Sequence, residues 1–339
     1  MKSAEGLVSI TIVNWNSSGY IEKCLDSIKK QLYPAIELIV VDNSSTDSSL
    51  EYIAKNFPQV KIVKNKENLG FSKSHNLGIH LAKGEFILPL NFDVFLEPDF
   101  VGEMVKMMKN DSSIGIVSGK LYRQTNGNKT KILDSTGITM RHCFMHPRGQ
   151  SEEDRGQYDN SEGALVFGAC GAAPLYRKAM LEDIRSGREF FDEDFVNYVE
   201  DVDLSWRACL RNWKCVYNPS AVAYHERGAT RKDNTPMKKD YLIFGLRNRY
   251  CCIIKNLPAR YLKKNFGKIF LKETSFLLMP IKEIPRGLRF KSFLLTAPML
   301  RAMLKKRALI QRNKLIKENE LELFLDYKSL KWDLLSRKK

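Results

Sequence analysis

Residues 7–47 read LVSITIVNWNSSGYIEKCLDSIKKQLYPAIELIVVDNSSTD. Residues 7–13 (LVSITIV) are β-rich and stop at the polar turn Asn14-Trp15-Asn16-Ser17-Ser18-Gly19. Ile21, Cys24, Leu25, Ile28 and Leu32 then recur at helical spacing. Residues 37–41 (ELIVV) predict a second strand with no polar break, as expected when both faces are buried in a parallel sheet. It stops at Asp42-Asn43-Ser44-Ser45-Thr46-Asp47. A carboxylate at the C-terminal end of such a strand lies in the crevice where open α/β sheets bind ligands. The competing role is to cap the helix that begins near Ser48, which Asp47 is better placed to do.

The same alternation continues outward. A strand at residues 60–64 leads into Asn68-Leu69-Gly70-Phe71 and a short helix that carries His75 and Asn76. Gly70 would allow close backbone approach to a ligand. Residues 86–90 (FILPL) predict a central strand ending in Asn91-Phe92-Asp93. A helix follows with Phe100, Val101, Met104, Val105 and Met108 on one face. Alternating strands and helices make this an α/β sandwich, and Asp93 at the end of a buried strand is hard to explain as packing. Further on, residues 190–213 (FFDEDFVNYVEDVDLSWRACLRNW) place Glu200, Asp201 and Asp203 in the first turn of a helix whose apolar side is Val199, Val202, Trp206 and Leu210. Acids there complement the helix dipole. Crowded carboxylates also separate in pKa, which can make one of them a general base.

The totals bound the class. The chain has 339 residues, 43% of them hydrophobic, which suits one large or two modest folded domains. Seven cysteines show no paired C-x-x-C spacing, so neither a disulfide framework nor a zinc site is indicated. Residues 7–13 are too short an apolar run for a signal peptide, and no run approaches a bilayer span. The expected location is therefore cytoplasmic. Charge is uneven: residues 255–339 hold 22 Lys and Arg against seven Asp and Glu, a net +15 of the chain's +16. A basic tail fits an anionic membrane, a nucleic acid or a solvated helical face.

Several ordered motifs now agree. Residues 12–16 (IVNWN), 41–47 (VDNSSTD), 68–71 (NLGF), 90–93 (LNFD) and 168–177, the Glu200-Asp201 helix and His225 together resemble the inverting family 2 glycosyltransferases of the GT-A fold. Within that family the likeness is to bacterial rhamnosyltransferase-like enzymes that build cell-surface polysaccharide, and it covers residues 7–256. The resemblance implies a Rossmann-like mixed sheet flanked by helices. It implies a catalytic domain over residues 1–236 and a basic helical region over 237–339.

The site residues follow from the same resemblance. Val13, Asn14, Asn16, Asp42, Asn43, Asn68, Gly70, Phe71, Asn76 and Asn91 would form the nucleotide site, with Asp42 accepting the imide N–H of uracil or thymine. Asp93 and His225 would hold Mg²⁺ or Mn²⁺; the family's motif is usually Asp-x-Asp or, in this subgroup, Asn-Pro-Asp, and here it is Asn91-Phe92-Asp93. Asp201 would be the base that deprotonates the acceptor hydroxyl, with Glu200 beside it. Gly171, in the small-residue strand read over residues 165–175, and Arg227 and Arg231 in a polar loop would touch acceptor or diphosphate. The donor is expected to be a nucleotide-diphosphate sugar, with dTDP-rhamnose the first choice and a UDP-sugar (hexose or galactofuranose) the alternative; the rival from another class is a non-catalytic sugar-nucleotide or membrane-binding protein on the same fold, which the incomplete metal motif would allow. The acceptor is expected to be a saccharide, free or polyprenyl-linked.

From residue 237 onward the pattern turns to long helices. Residues 247–250 (RNRY) are similar to an arginine-asparagine segment of the same subgroup. The apolar clusters at 275–281 and 292–300 are too short to span a membrane and lie among basic residues. They fit peripheral docking on the cytoplasmic face of the inner membrane, packing on the catalytic domain, or a homodimer contact; no nucleic acid partner is expected. Residues 120–162 yield no specificity pattern, and Arg141, His142, His146 and Arg148 read as exposed loop residues in preference to contacts for an acceptor phosphate.

Overall fold

The computed structural model describes residues 4–141, 143–227, 237–279 and 284–325. The elements run β1 (Ala4–Asn14), α1 (Ile21–Lys29), β2 (Ile36–Asp42), α2 (Ser49–Asn56), β3 (Lys61–Lys64), α3 (Gly70–Leu81), β4 (Gly84–Leu90), β5 (Val94–Leu96) and α4 (Phe100–Asn110). They continue with β6 (Ile114–Thr125), β7 (Asn128–Ser135), β8 (Ile138–Arg141), β9 (Phe144–Pro147), β10 (Leu175–Arg177), α5 (Lys178–Ile184), α6 (Glu200–Leu210) and β11 (Lys214–His225). Five helices close the described chain: α7 (Met237–Asn256), α8 (Ala259–Leu278), α9 (Arg286–Leu294), α10 (Leu300–Arg312) and α11 (Glu318–Leu325).

Among the described residues nine strands form one mixed sheet in the order β3-β2-β1-β4-β10-β6-β11-β5, with β7 paired to β6. Strands β1, β2, β3 and β4 pair in parallel, while β10 runs antiparallel between β4 and β6. The order reverses at β1, which sends β2 and β4 to opposite sides. That reversal opens the crevice at the strand C-termini where Asn14, Asp42 and Asn91 sit. One face of the sheet packs Ile10, Ile12 and Leu88 against α1 and α4 through Leu25, Phe100 and Met104. The other packs Ile39, Val41 and Ile87 against α3, α5 and α6 through Ile79, Met180 and Leu204. A third core joins Trp206 of α6 to Cys251 and Cys252 of α7, Met303 of α10 and Leu321 of α11. Burying a side chain of this size contributes about 1.5–3 kcal/mol, so α7 is anchored on α6, α10 on α7 and α11 on β8.

The predicted helices and strands of residues 7–110 all form, with two local differences. Leu32 lies beyond the end of α1 and is 71% exposed. Its backbone N–H instead donates to the Pro98 carbonyl, so the chain has already turned away from the helix axis. Gly70 approaches Val196: an added Cβ would lie 2.6 Å from Val196 Cγ1 and 3.0 Å from its carbonyl oxygen. The close contact that needs glycine there is with the chain itself.

Residues 120–162 are more ordered than their sequence predicts. β6 and β7 form an antiparallel pair and β8 and β9 a hairpin. Arg148 is buried, donating to Thr136 and lying over the rings of Tyr158 and Tyr217, because two aromatic faces and a carbonyl replace its hydration. His146 is exposed, as read, and His142 lies outside the described residues. The small-residue stretch 165–175 is a pinned loop that becomes a strand only at Leu175. Its glycines admit a helix: a Cβ on Gly168 would meet Ser205 Oγ of α6 at 2.3 Å.

Candidate active site

A cavity of about 680 Å³ opens at the C-terminal ends of β1, β2 and β4. Its wall includes Val13, Asn43, Asn68, Gly70, Phe71, Asn91, Asp93, Gly171, Glu200, Asp201, His225 and Arg227. Twelve of the residues predicted for the site are thus brought together. Asn14, Asn16, Asp42 and Asn76 stand outside the wall, and Arg231 lies outside the described residues.

Strand pairing builds the Asp93 corner. β5 and β11 run antiparallel with Val94 opposite His225, which sets His225 beside Asp93. Nε2 of His225 is 3.5 Å from Asp93 Oδ1, while Nδ1 is 2.8 Å from Oδ2 of Asp134. Asp134, at the end of β7, is fully buried and also accepts from Arg227 Nε. Burial disfavours the charged imidazole, and the carboxylates of Asp93 and Asp134 outweigh it, so the His225 pKa is pushed up to about 9. A carboxylate and an imidazole meeting at one point, with a second carboxylate fixing the far ring nitrogen, is how proteins orient a metal-binding histidine. Among the described residues no third His, Cys, Asp or Glu joins them. The pair fits a divalent cation that takes its other ligands from substrate oxygens. Sequence reading missed Asp134, although the run Leu133-Asp134-Ser135 ends a strand in an acid just as Val41-Asp42 does.

The opposite corner is the start of α6. Asp201 Oδ2 accepts the Gly171 N–H at 2.8 Å and Oδ1 accepts the Val202 N–H at 2.8 Å. Glu200 is buried beside it, and its Oε2 has no hydrogen-bond partner among the described residues. Burial raises both carboxyl pKa values; the Asp201 charge pushes Glu200 well above its ordinary value, whereas the backbone N–H groups hold Asp201 back. Both carboxyls are thus driven toward the neutral form, Glu200 the more strongly because Asp201 accepts two backbone N–H groups. Asp203, one position further, turns away to Arg207 Nε at 2.9 Å and Asn256 Nδ2 at 2.7 Å. It supports the helix. Cys170 also lines the cavity, but burial pushes its thiol up to about 12, which keeps it unreactive.

The polar end is organised by asparagines. Asp42 Oδ1 accepts from Asn14 Nδ2 at 2.8 Å and from Ser45 Oγ at 2.5 Å, and Oδ2 accepts the Ser45 N–H at 3.1 Å. Among the described residues one acceptor position on Oδ2 stays open, since a carboxylate offers about four. Asn43 donates to Asn68 Oδ1 at 3.1 Å, which in turn accepts the Gly70 N–H at 2.9 Å. Asn16 Oδ1 accepts the Thr46 N–H at 2.8 Å and ties the two loops together. Asn76 spends its amide on the backbone of Phe191, donating at 2.8 Å and accepting at 2.9 Å. The other end of the cavity is apolar, walled by Ile138, Met145, Pro147, Leu242, Leu246 and Ile284. Half of that wall comes from α7 and the segment before α9, a contribution the sequence did not announce.

Comparison with known proteins places this site in a family. The glycosyl transferase family 2 model matches residues 9–185. An uncharacterized glycosyltransferase of Haemophilus influenzae is 36% identical over 247 residues, covering 67% of this chain and 71% of that protein. The putative glycosyltransferase EpsH of Bacillus subtilis is 28% identical over 206 residues, or 59% of this chain, which spans about half of that relative at 55%. Among solved structures, the mannosyltransferase PcManGT from Pyrobaculum calidifontis in complex with GDP-Man and Mn²⁺ superposes with a TM-score of 0.52 at 16% identity, covering 97% of this chain and 85% of that one. That likeness shows the GT-A fold. Over more than half its length, and at the strand ends that form the cavity, the chain belongs to glycosyl transferase family 2.

Proposed function

We propose that the protein is an inverting transferase that moves a sugar from a nucleotide-diphosphate donor to a saccharide acceptor. The observation that carries this reading is one cavity holding two different acidic corners, Asp93 with His225 and Asp201 with Glu200. At the first, Asp93 and His225 would hold a divalent ion, which when bound stabilises the charge on a departing diphosphate. Asn43, Asn68 and Asn91 face the nucleotide, and Asp42 offers its open Oδ2 position to a base N–H. At the second, Asp201 takes the proton from the acceptor hydroxyl as that oxygen bonds to the anomeric carbon. The bond from that carbon to the diphosphate oxygen breaks, and its electron pair leaves with the nucleoside diphosphate. One carboxylate suffices for single displacement with inversion. Glu200, kept neutral by burial, can donate a hydrogen bond to the acceptor without competing for its proton. Arg227, tied to Asp134, faces the same space.

The apolar wall favours an acceptor that carries lipid, in keeping with cell-surface polysaccharide synthesis on a polyprenyl carrier. The C-terminal helices agree with this: Phe266, Phe270, Phe290, Phe293 and Leu304 are exposed among basic residues. Among the described residues no helix is long and apolar enough to cross a membrane, so we read this surface as a peripheral contact with an anionic leaflet. dTDP-rhamnose is the first donor to test, with UDP-sugars and GDP-mannose beside it. Thermal shifts with each donor, in Mn²⁺ or EDTA, on wild type and Asp93→Ala identify the nucleotide, since ligand bound to the native state raises its stability. A metal-dependent shift lost in Asp93→Ala, with nucleotide release lost in Asp201→Asn while donor binding persists, supports the reading. Turnover unchanged in Asp201→Asn would remove it.

A further inference from the structure

The residues just before the acidic pair are held in a conformation their side chains disfavour. Val196, Tyr198 and Val199 have φ of 61°, 71° and 72°, a region that β-branched residues above all rarely enter. Val196, with ψ of −68°, centres a γ-turn closed by the Asn197 N–H on the Phe195 carbonyl at 2.6 Å. This positive-φ form is the rare and strained one. None of the three is glycine, so the conformation is imposed from outside the segment.

Two sets of hydrogen bonds impose it. From the cavity side, the Phe71 N–H donates to Asn197 Oδ1 at 2.8 Å and the Ser72 N–H to the Val196 carbonyl at 3.0 Å. From behind, Asn248 of α7 is fully buried with Nδ2 at 2.8, 2.8 and 2.9 Å from the carbonyls of Phe195, Asn197 and Tyr198. Its Oδ1 accepts from Arg247 Nε at 3.0 Å and Nη2 at 2.8 Å, which settles the end of the amide that faces the loop. The segment runs directly into Glu200 and Asp201, and Val199 is the left-handed residue that starts α6.

We propose that Asn248 is a positioning residue for the transfer reaction: its side-chain amide holds Val196, Tyr198 and Val199 at positive φ, which aims Asp201 into the cavity and ties it to the loop at Gly70. The inference rests on Asp201 being the base. Without the amide, the Phe195, Asn197 and Tyr198 carbonyls lose the two N–H groups they share, Phe195 keeping the Asn197 N–H, and the segment relaxes toward ordinary backbone angles. The first turn of α6 then rotates away from the Gly171 N–H.

The test uses Asn248→Ala, Asn248→Ser, which keeps one donor, and Asn248→Ala combined with Val196→Gly. Amide hydrogen exchange, which needs no substrate, is read at Ser72, Asn197 and Asp203 and, for reference, in β1 and β4. Nucleoside diphosphate release is read with dTDP-rhamnose, UDP-glucose and GDP-mannose. Asn248→Ala is expected to speed exchange at Ser72 and Asn197 at least tenfold with β1 and β4 unchanged. It should lower kcat roughly 10- to 100-fold with the donor KM within about threefold. Asn248→Ser should fall between. Val196→Gly should restore part of kcat, because glycine enters the left-handed region without cost. Unchanged exchange at Ser72 and Asn197 overturns the proposal, as does exchange that speeds equally everywhere with no rescue by Val196→Gly. Turnover that survives Asp201→Asn would remove the base assignment and leave the exchange result standing, so the two failures are told apart.

Discussion

Gly168→Ala tests whether α6 is seated by a glycine. An added Cβ would lie 2.3 Å from Ser205 Oγ and 2.6 Å from Ser205 Cβ. The hydroxyl can rotate away, but the Cβ moves only with the helix. Reaching an ordinary 3.4 Å from 2.6 Å demands a separation of about 0.8 Å. The loop cannot supply it freely, since the Ile138 N–H holds the Gly168 carbonyl at 2.7 Å. Overpacking of this kind costs about 1–3 kcal/mol. At roughly 2–4 °C per kcal/mol the thermal midpoint should fall about 2–12 °C. Asp201 stands one helical turn before Ser205, and the Gly171 N–H that holds it lies three residues after Gly168, so the same displacement stretches their bond. A shift near 1 Å at a reacting group costs about 10²-fold; kcat for nucleoside diphosphate release should fall roughly 10- to 100-fold. Ser205→Gly removes both clashing atoms, and the Ser205 hydroxyl has no hydrogen-bond partner to lose among the described residues. The double variant should therefore recover activity despite the ~1 kcal/mol cost of a helical glycine, with a coupling of at least about 1 kcal/mol in the cycle. Activity within twofold of wild type in Gly168→Ala, or no recovery in the double variant, refutes the argument.

Three further outcomes are expected. Lys255→Met removes a buried ammonium that joins Asp192 to Asp203, 2.7 Å from Asp203 Oδ1; urea unfolding should show a loss near 3 kcal/mol, the low end for a broken buried pair, because Lys306 and Arg207 remain. Burial raises the Asp192 pKa, and Lys255 and Lys306 more than reverse this, leaving it below the ordinary carboxylate range. The stability Asp192 contributes is present above that range and lost as pH falls through its lowered value, so Lys255→Met should flatten the acid limb of stability, and an unchanged limb would exclude the role. Glu200 has the opposite sign: its raised pKa means stability falls as pH climbs from the ordinary value of about 4.3 toward the raised one. Glu200→Gln should gain thermal midpoint over wild type, and gain more at pH 8 than at pH 5; a gap that does not grow with pH would show the burial cost to be absent. Phe266→Asp with Phe270→Asp, at two stacked exposed rings on α8, should weaken pelleting with phosphatidylglycerol vesicles at least tenfold and leave the thermal midpoint unchanged, whereas equal pelleting would rule out insertion of this face.

The sequence was most legible where one residue's job depends on its neighbours along the chain. β1, β2 and β4 carry unbroken apolar runs because both faces are covered, and their ends therefore mark the crevice. The Glu200-Asp201 pair showed because like charges at a helix start are conspicuous. Asp134 was hidden because its partners His225 and Arg227 come from a strand about ninety positions away in sequence. β7 and the β8–β9 hairpin were hidden for a related reason: edge and rim strands are half-exposed, so their apolar pattern is broken. Gly70 and Gly168 were visible as glycines, but a sequence cannot say whether a ligand or the chain's own Val196 and Ser205 fills the space beside them.

The same distinction explains why the C-terminal region reads as a basic tail and yet reaches the site. Charge counting sees Lys255 and Lys306 as two of many cations. In the fold both lie against Asp192, ten residues or fewer before the acidic pair, and Lys255 is 1% exposed. Asn256 and Asn248 of the same helix bond to Asp203 and to the carbonyls of Phe195, Asn197 and Tyr198. Polar side chains this buried are costly unless partnered; Asn248 finds its partners in the segment that leads into α6, and Lys255 in Asp192 before that helix and Asp203 within it. A surface tail would carry its charges in water. α7 instead places its polar groups where α6 begins and leaves the outward faces of α8, α9 and α10 to hold the exposed phenylalanines and leucines.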